Sequence, residues 1–114
     1  MMVAVKLEGD VLWIRPYGPR LDAAVAPDFK SAVTAGLQER PKAAILHAGT
    51  LNFVDSTGLG AIVSVMKQMG SDGFFAIVGA TPNVRRLLSM TGLDRVFRLF
   101  ANQAEAEAAL AQRR

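Results

Sequence analysis

Apolar and polar positions alternate from Val3 to Leu7, Glu8-Gly9-Asp10 supplies turn residues, and Val11-Leu12-Trp13-Ile14 resumes the apolar run. Two such runs around a glycine turn predict a β-hairpin. Pro16 ends regular pairing, and Gly18-Pro19 marks a loop. From Ala23 the period lengthens: Val25, Phe29, Val33 and Leu37 recur every fourth residue, with Asp28 and Lys30 off that stripe. This is the spacing of an amphipathic helix. Gly36 weakens its last turns and Pro41 forbids continuation. Ala43-Ala44-Ile45-Leu46 reads as a short buried strand. Leu59, Ile62, Val63 and Met66 then outline a second helix that begins near Ser56 and is closed by Gly70-Ser71-Asp72-Gly73.

Phe74 to Val78 is the next buried strand. Thr81 before Pro82 has the form of an N-cap followed by proline at the first helical position. Val84, Leu87 and Leu88 line the short helix that follows, and Gly92 lies just past its end. Val96 to Phe100 reads as a last strand, and the Ala- and Glu-rich stretch from Gln103 to Gln112 as a terminal helix. The order ββαβαβαβα implies crossover connections and an α/β fold, a mixed β-sheet packed with helices in one domain spanning 1–114.

Composition narrows the chemistry. The chain has 114 residues, 51% hydrophobic and 20% charged, a balance that folds rather than remaining disordered. With no cysteine and one histidine, disulfides, thiolate metal sites, cysteine nucleophiles and paired-histidine zinc sites are excluded. No metal, cofactor or catalytic residue is expected. The net charge is +3. Arg113 and Arg114 sit at the chain end, where solvation is expected. Arg85, Arg86, Arg95 and Arg98 have no interleaved aromatic residues, so a solvated face accounts for them better than a nucleic-acid footprint. Arg85 and Arg86 would at most steer an acidic partner. No apolar run approaches a membrane span, and Met1 to Lys6 lacks a signal-peptide pattern, which points to the cytoplasm.

The most informative segment is Phe53-Val54-Asp55-Ser56-Thr57-Gly58-Leu59-Gly60, where a loop enters a helix. The first helical amides lack internal partners and carry partial positive charge. Either Asp55 or Ser56 has the side-chain oxygen to cap them. Gly58 and Gly60 each cost about 1 kcal/mol relative to alanine inside a helix and admit a close neighbour. Three readings compete: a capped helix whose glycines allow tight packing, an anion site at the helix amides, and a phosphorylation switch. A phosphate on Ser56 would add about −1.5 to −2 charges where the helix dipole tolerates them. A serine nucleophile is rejected, because Val54 breaks the Gly-x-Ser-x-Gly pattern and His47, the one histidine, ends a buried-type strand. A structural histidine with one hydrogen bond is the expectation there. On the same helix, Val63 and Met66 are expected in the core and Ser64 and Lys67 at the surface as contact residues, while Met69 suits either.

These residues resemble the signature loop of STAS domains, specifically bacterial anti-sigma factor antagonists. Thr81-Pro82-Asn83-Val84-Arg85-Arg86-Leu87-Leu88, followed by Thr91-Gly92-Leu93, is similar to the second characteristic segment of that family. Element order and length agree as well. The resemblance implies a non-enzymatic, phosphorylation-switched interaction module. In that family the unphosphorylated protein captures an anti-sigma factor that is itself a GHKL-type serine kinase, and a PP2C-type phosphatase reverses the modification. ATP and Mg²⁺ belong to the kinase.

By position the acceptor is Ser56, with Thr57 a secondary candidate. Asp22, Asp55, Ser56, Thr57, Gly58, Ser64 and Lys67 form the expected partner surface. The chain departs from the family at His47, where an Asn or Asp is usual, at Ala48-Gly49-Thr50, and at Gly18-Pro19-Arg20-Leu21-Asp22, where a cation replaces an acid. The same fold also serves as a phosphorylation-independent subunit of ABC-type lipid transporters, which is the alternative.

Overall fold

Gly9 and Asp10 form the two-residue turn of an antiparallel hairpin between β1 (Val3–Glu8) and β2 (Val11–Pro16) in the computed structural model, which describes residues 3–113. The chain then crosses to β4 (Ala43–His47), β6 (Phe74–Val78) and β7 (Arg98–Phe100), each parallel to its neighbour. The strand order is β1-β2-β4-β6-β7, a mixed five-stranded sheet. Helices α1 (Ala26–Leu37), α2 (Ser56–Met69), α3 (Pro82–Met90) and α4 (Gln103–Arg113) fill the crossovers and the end. The expected ββαβαβαβα order is the observed one, supplemented by short pieces described below.

Every residue of β6 and four of the five in β4 are buried. Strands covered on both faces require continuous apolar runs rather than alternation. On one face Leu12, Ile14, Leu46 and Ile77 pack with Phe29 and Val33 of α1, Ile62 and Val65 of α2 and Leu88 of α3. On the other, Trp13, Ile45, Phe74 and Ala76 pack against Ala106 and Leu110 of α4. Gly36 has a packing role: a Cβ there would lie 2.8 Å from the Leu12 side chain, so its absence lets α1 approach the hairpin.

Several boundaries move, each for a local reason. α1 starts at Ala26 rather than Ala23, because the Asp22 carbonyl accepts the amides of Val25 and Ala26 in a preceding turn. The last strand is Arg98–Phe100; ahead of it Leu93–Arg95 forms a 3-10 turn, and Phe97 turns into the core against Phe75. Unanticipated by periodicity are β3 (Arg20–Leu21) and β5 (Phe53–Val54), a two-residue parallel pair joining the loops after β2 and β4. Arg113, expected to be solvated, donates to the carbonyls of Asp72 and Gly73 at 2.7 and 3.3 Å. Arg114 and the first two methionines lie outside the described residues.

Candidate functional site

The start of α2 is built around Asp55. Its backbone is extended (φ −91°, ψ −177°), which aims the side chain back over the first helical turn. Oδ1 accepts the Gly58 amide at 2.8 Å, and Oδ2 accepts the Ala23 amide at 3.0 Å. Its own amide donates to the Leu21 carbonyl at 3.2 Å, continuing the β3–β5 pairing. Of the two capping candidates, Asp55 is therefore the cap, and it also ties the loop before α1 to α2.

Ser56, the first residue of α2, is consequently free of structural duty. It is exposed, as is Thr57, and neither hydroxyl makes a hydrogen bond among the described residues. Gly58 does not reach the contact surface expected for it. It is buried, and a Cβ on it would run into the Leu21 carbonyl oxygen, so the β3 main chain occupies that space. Gly60 is the opposite case: it is exposed, and a Cβ added there would meet nothing within 4 Å.

Asp22 is brought to the same place, since the Ala23 amide beside it is held by Asp55. Its Oδ1 accepts the Ala24 amide at 3.1 Å, and its Oδ2 accepts Arg20 Nε at 3.1 Å. The Arg20 hydrogen bond, backed by local amides and the guanidinium charge, holds the Asp22 carboxyl below its ordinary pKa. Ser64, half-buried, and Lys67, exposed, lie on α2 roughly 12 and 16 Å along the axis from Ser56. The fold thus gathers Asp22, Asp55, Ser56 and Thr57 and leaves Ser64 and Lys67 two and three turns away.

The buried stripe of α2 runs through Gly58, Ala61, Ile62 and Val65. Val63 and Met66, expected in the core, are only partly buried at its margin, as is Met69. Small residues at 58 and 61 bring the helix in on that side.

His47 ends β4 on the α4 face of the sheet, its ring 5.7 Å from Trp13. The expected hydrogen bond is missing at Nε2, which is enclosed without a partner. Burial, then the Arg15 charge, lowers its pKa. Ser56 belongs to α2 on the opposite face, so the fold does not join these two as base and nucleophile.

Two exposed aromatic residues escape a sequence reading as contact residues, Tyr17 and Phe53, whereas Arg20 belongs to the loop that departs from the family pattern on the expected partner surface. Tyr17 and Phe53 are exposed, and the Arg20 guanidinium lies 4.4 Å over the Phe53 ring. No sequence signal separates Phe53 from Val54, since both are apolar, yet Leu21 and Val54 are buried while Arg20 and Phe53 are exposed. Among the described residues, no group of three His, Asp or Glu side chains could hold a metal ion. Among the same residues, no helix is long and apolar enough to cross a membrane.

A homolog of TM1081 in Thermotoga neapolitana is 43% identical over 63 residues, 54% of this chain and 56% of that relative, so the match spans about half its length. The anti-sigma-F factor antagonist RsfB of Mycobacterium tuberculosis is 26% identical over 89 residues, 78% of this chain and 73% of RsfB. The fold is also that of the Bacillus anti-sigma factor antagonist SpoIIAA, solved unphosphorylated and phosphorylated. The unphosphorylated form gives a TM-score of 0.81 at 19% identity over 96% of each chain, and the phosphorylated form 0.73 over 95% of this chain and 98% of that one. The STAS domain family pattern matches residues 2–106, and the chain belongs to the STAS domain family.

Proposed function

We propose that this chain is an anti-sigma factor antagonist that binds an anti-sigma factor of the GHKL serine-kinase type while Ser56 is unphosphorylated and releases it when Ser56 is phosphorylated. The observation that carries the reading is the division of labour at α2. Asp55 satisfies the cap, so the Ser56 hydroxyl is exposed and uncommitted at a helix N-terminus. A phosphate there meets a favourable helix dipole and removes no structural hydrogen bond, so the domain keeps its fold while its surface charge changes. Thr57 is a secondary acceptor with the same exposure. The partner surface comprises Asp22, Asp55, Ser56 and Thr57, extended along α2 by Ser64 and Lys67. A PP2C-type phosphatase resets the switch, and the cycle runs in the cytoplasm.

The test is intact-mass spectrometry with phosphosite mapping of the protein isolated from its native cells together with its co-purifying partners. One phosphate on Ser56 and a GHKL-type kinase in the eluate are expected. An unmodified chain accompanied by an ABC ATPase would overturn the switch in favour of a transporter subunit.

A further inference from the structure

At the β3–β5 pair, whose Leu21 main chain lies against Gly58 of α2, two large side chains stand exposed, Phe53 at 43% and the Arg20 side chain at 59%. They are held on two loops that are stapled together. Thr50 Oγ1 donates to the carbonyls of Pro16 and Gly18 at 3.0 and 3.3 Å. The amides of Asn52 and Phe53 donate to the Pro19 carbonyl at 2.7 and 3.1 Å. β3 and β5 pair Arg20 directly with Phe53. A surface ordered in this way loses little further freedom when a partner binds.

Arg20 is fixed on two sides. Its Nε bonds Asp22, and its guanidinium plane lies over Phe53. The terminal Nη1 and Nη2 donate no hydrogen bond among the described residues, which leaves the edge that receives a carboxylate in a bidentate fork. Asp22 has both oxygens engaged, by Arg20 and by Ala24. Its charge orients Arg20. Beside the Ser56 and Thr57 hydroxyls, this edge thus offers a partner a cation and an aromatic ring, residue types enriched where interfaces carry most of their binding energy.

We infer that Arg20 and Phe53 form a docking platform for an acidic protein segment, which places a carboxylate on the Arg20 fork and an apolar side chain against Phe53. The inference deepens the proposed switch and rests on it in taking this edge as the partner's landing place. It also gives the switch a physical cause. A phosphate on Ser56 adds negative charge beside a platform that receives a carboxylate, so the phosphorylated surface repels the segment that the unphosphorylated one holds.

The experiment uses a phage-displayed library of random dodecapeptides panned on the full unphosphorylated chain, with selected peptides then titrated by NMR. Selected sequences should carry Asp or Glu next to an aromatic or aliphatic residue and shift the resonances of Arg20 and Phe53. Arg20→Glu should weaken them at least tenfold, Phe53→Ala severalfold, and Arg20→Lys by an intermediate factor, because it keeps the charge but loses the fork. Peptides without acidic enrichment, equal affinity for Arg20→Glu, or shifts confined to other surfaces would each overturn the platform. Ser56→Asp separates the two readings: loss of acidic-peptide binding supports both. Unchanged binding to Ser56→Asp, alongside loss in Arg20→Glu, keeps the platform and removes the repulsion on which the switch depends.

Discussion

Two helices of this domain begin with the same kind of sequence and reach opposite ends. At α3, Thr81 accepts the Val84 amide at 3.5 Å and donates to the Leu51 carbonyl at 2.7 Å. The next position is Pro82, which has no hydrogen-bond donor to offer. Asn83 donates its side-chain amide to Asn52, at 3.3 Å to the carbonyl and 3.0 Å to the side chain. The polar groups of that turn are tied to the neighbouring loop. At α2 the cap is Asp55, whose two carboxylate oxygens do the tying, and the two hydroxyls behind it stay exposed. A helix start becomes available for chemistry when one residue takes over all the structural hydrogen bonds and its successors are left free.

The sharpest break in that contrast is Gly58→Ala. The added methyl meets the Leu21 main chain rather than a flexible side chain. A loss of about 3 kcal/mol or more in urea denaturation is expected, the upper range for overpacking. Asp55→Ala should follow at about 2–3 kcal/mol, since it removes a cap and a charge-assisted bond to Ala23. Thr81→Ala should cost about 1 kcal/mol by the same measurement. Equal losses at these two positions would erase the distinction between the two starts.

Gly60→Ala acts in the other direction. With open space around that position, the variant should gain about 1 kcal/mol in thermal or urea unfolding. Ser56→Ala should change stability by no more than about 0.5 kcal/mol, as expected for a surface residue outside the cap. A larger loss would return a capping duty to Ser56.

The smallest effect is read by pH. Asp22 titrates below its ordinary value of 3.8 because of Arg20. A carboxyl whose pKa is depressed by folding adds stability above its unfolded value, and that contribution disappears as pH falls through the folded one. Arg20→Ala should move the Asp22 carboxyl upward in a ¹³C NMR titration and shrink the loss of stability below about pH 4.

The helices and central strands were legible in sequence because their signals are local. Period-four spacing located α1, four- to five-residue apolar runs located β4 and β6, and Thr81-Pro82 marked α3 directly. β3 and β5 were not legible, since two residues have no period and their pairing joins loops distant in sequence. The α2 stripe was displaced for a related reason. Of the apolar pattern Leu59, Ile62, Val63 and Met66, Ile62 is buried and the other three lie at the margin, because the helix faces inward where Gly58 and Ala61 permit close packing.

The candidate site divides along the same line. The Asp55-Ser56-Thr57 turn is visible as residue types. The choice of Asp55 over Ser56 as cap depends on where the Ala23 amide arrives, which only the tertiary structure fixes.

The Asp55 carboxylate holds Gly58 at the head of α2 with one oxygen and Ala23 with the other, and the adjoining Asp22 carbonyl opens the turn into α1. One anion is therefore a common clasp for the origins of two helices. A charge set on the neighbouring Ser56 would act on that clasp at first hand. Its influence would reach α1 through a single side chain, without any rearrangement of the packed interior.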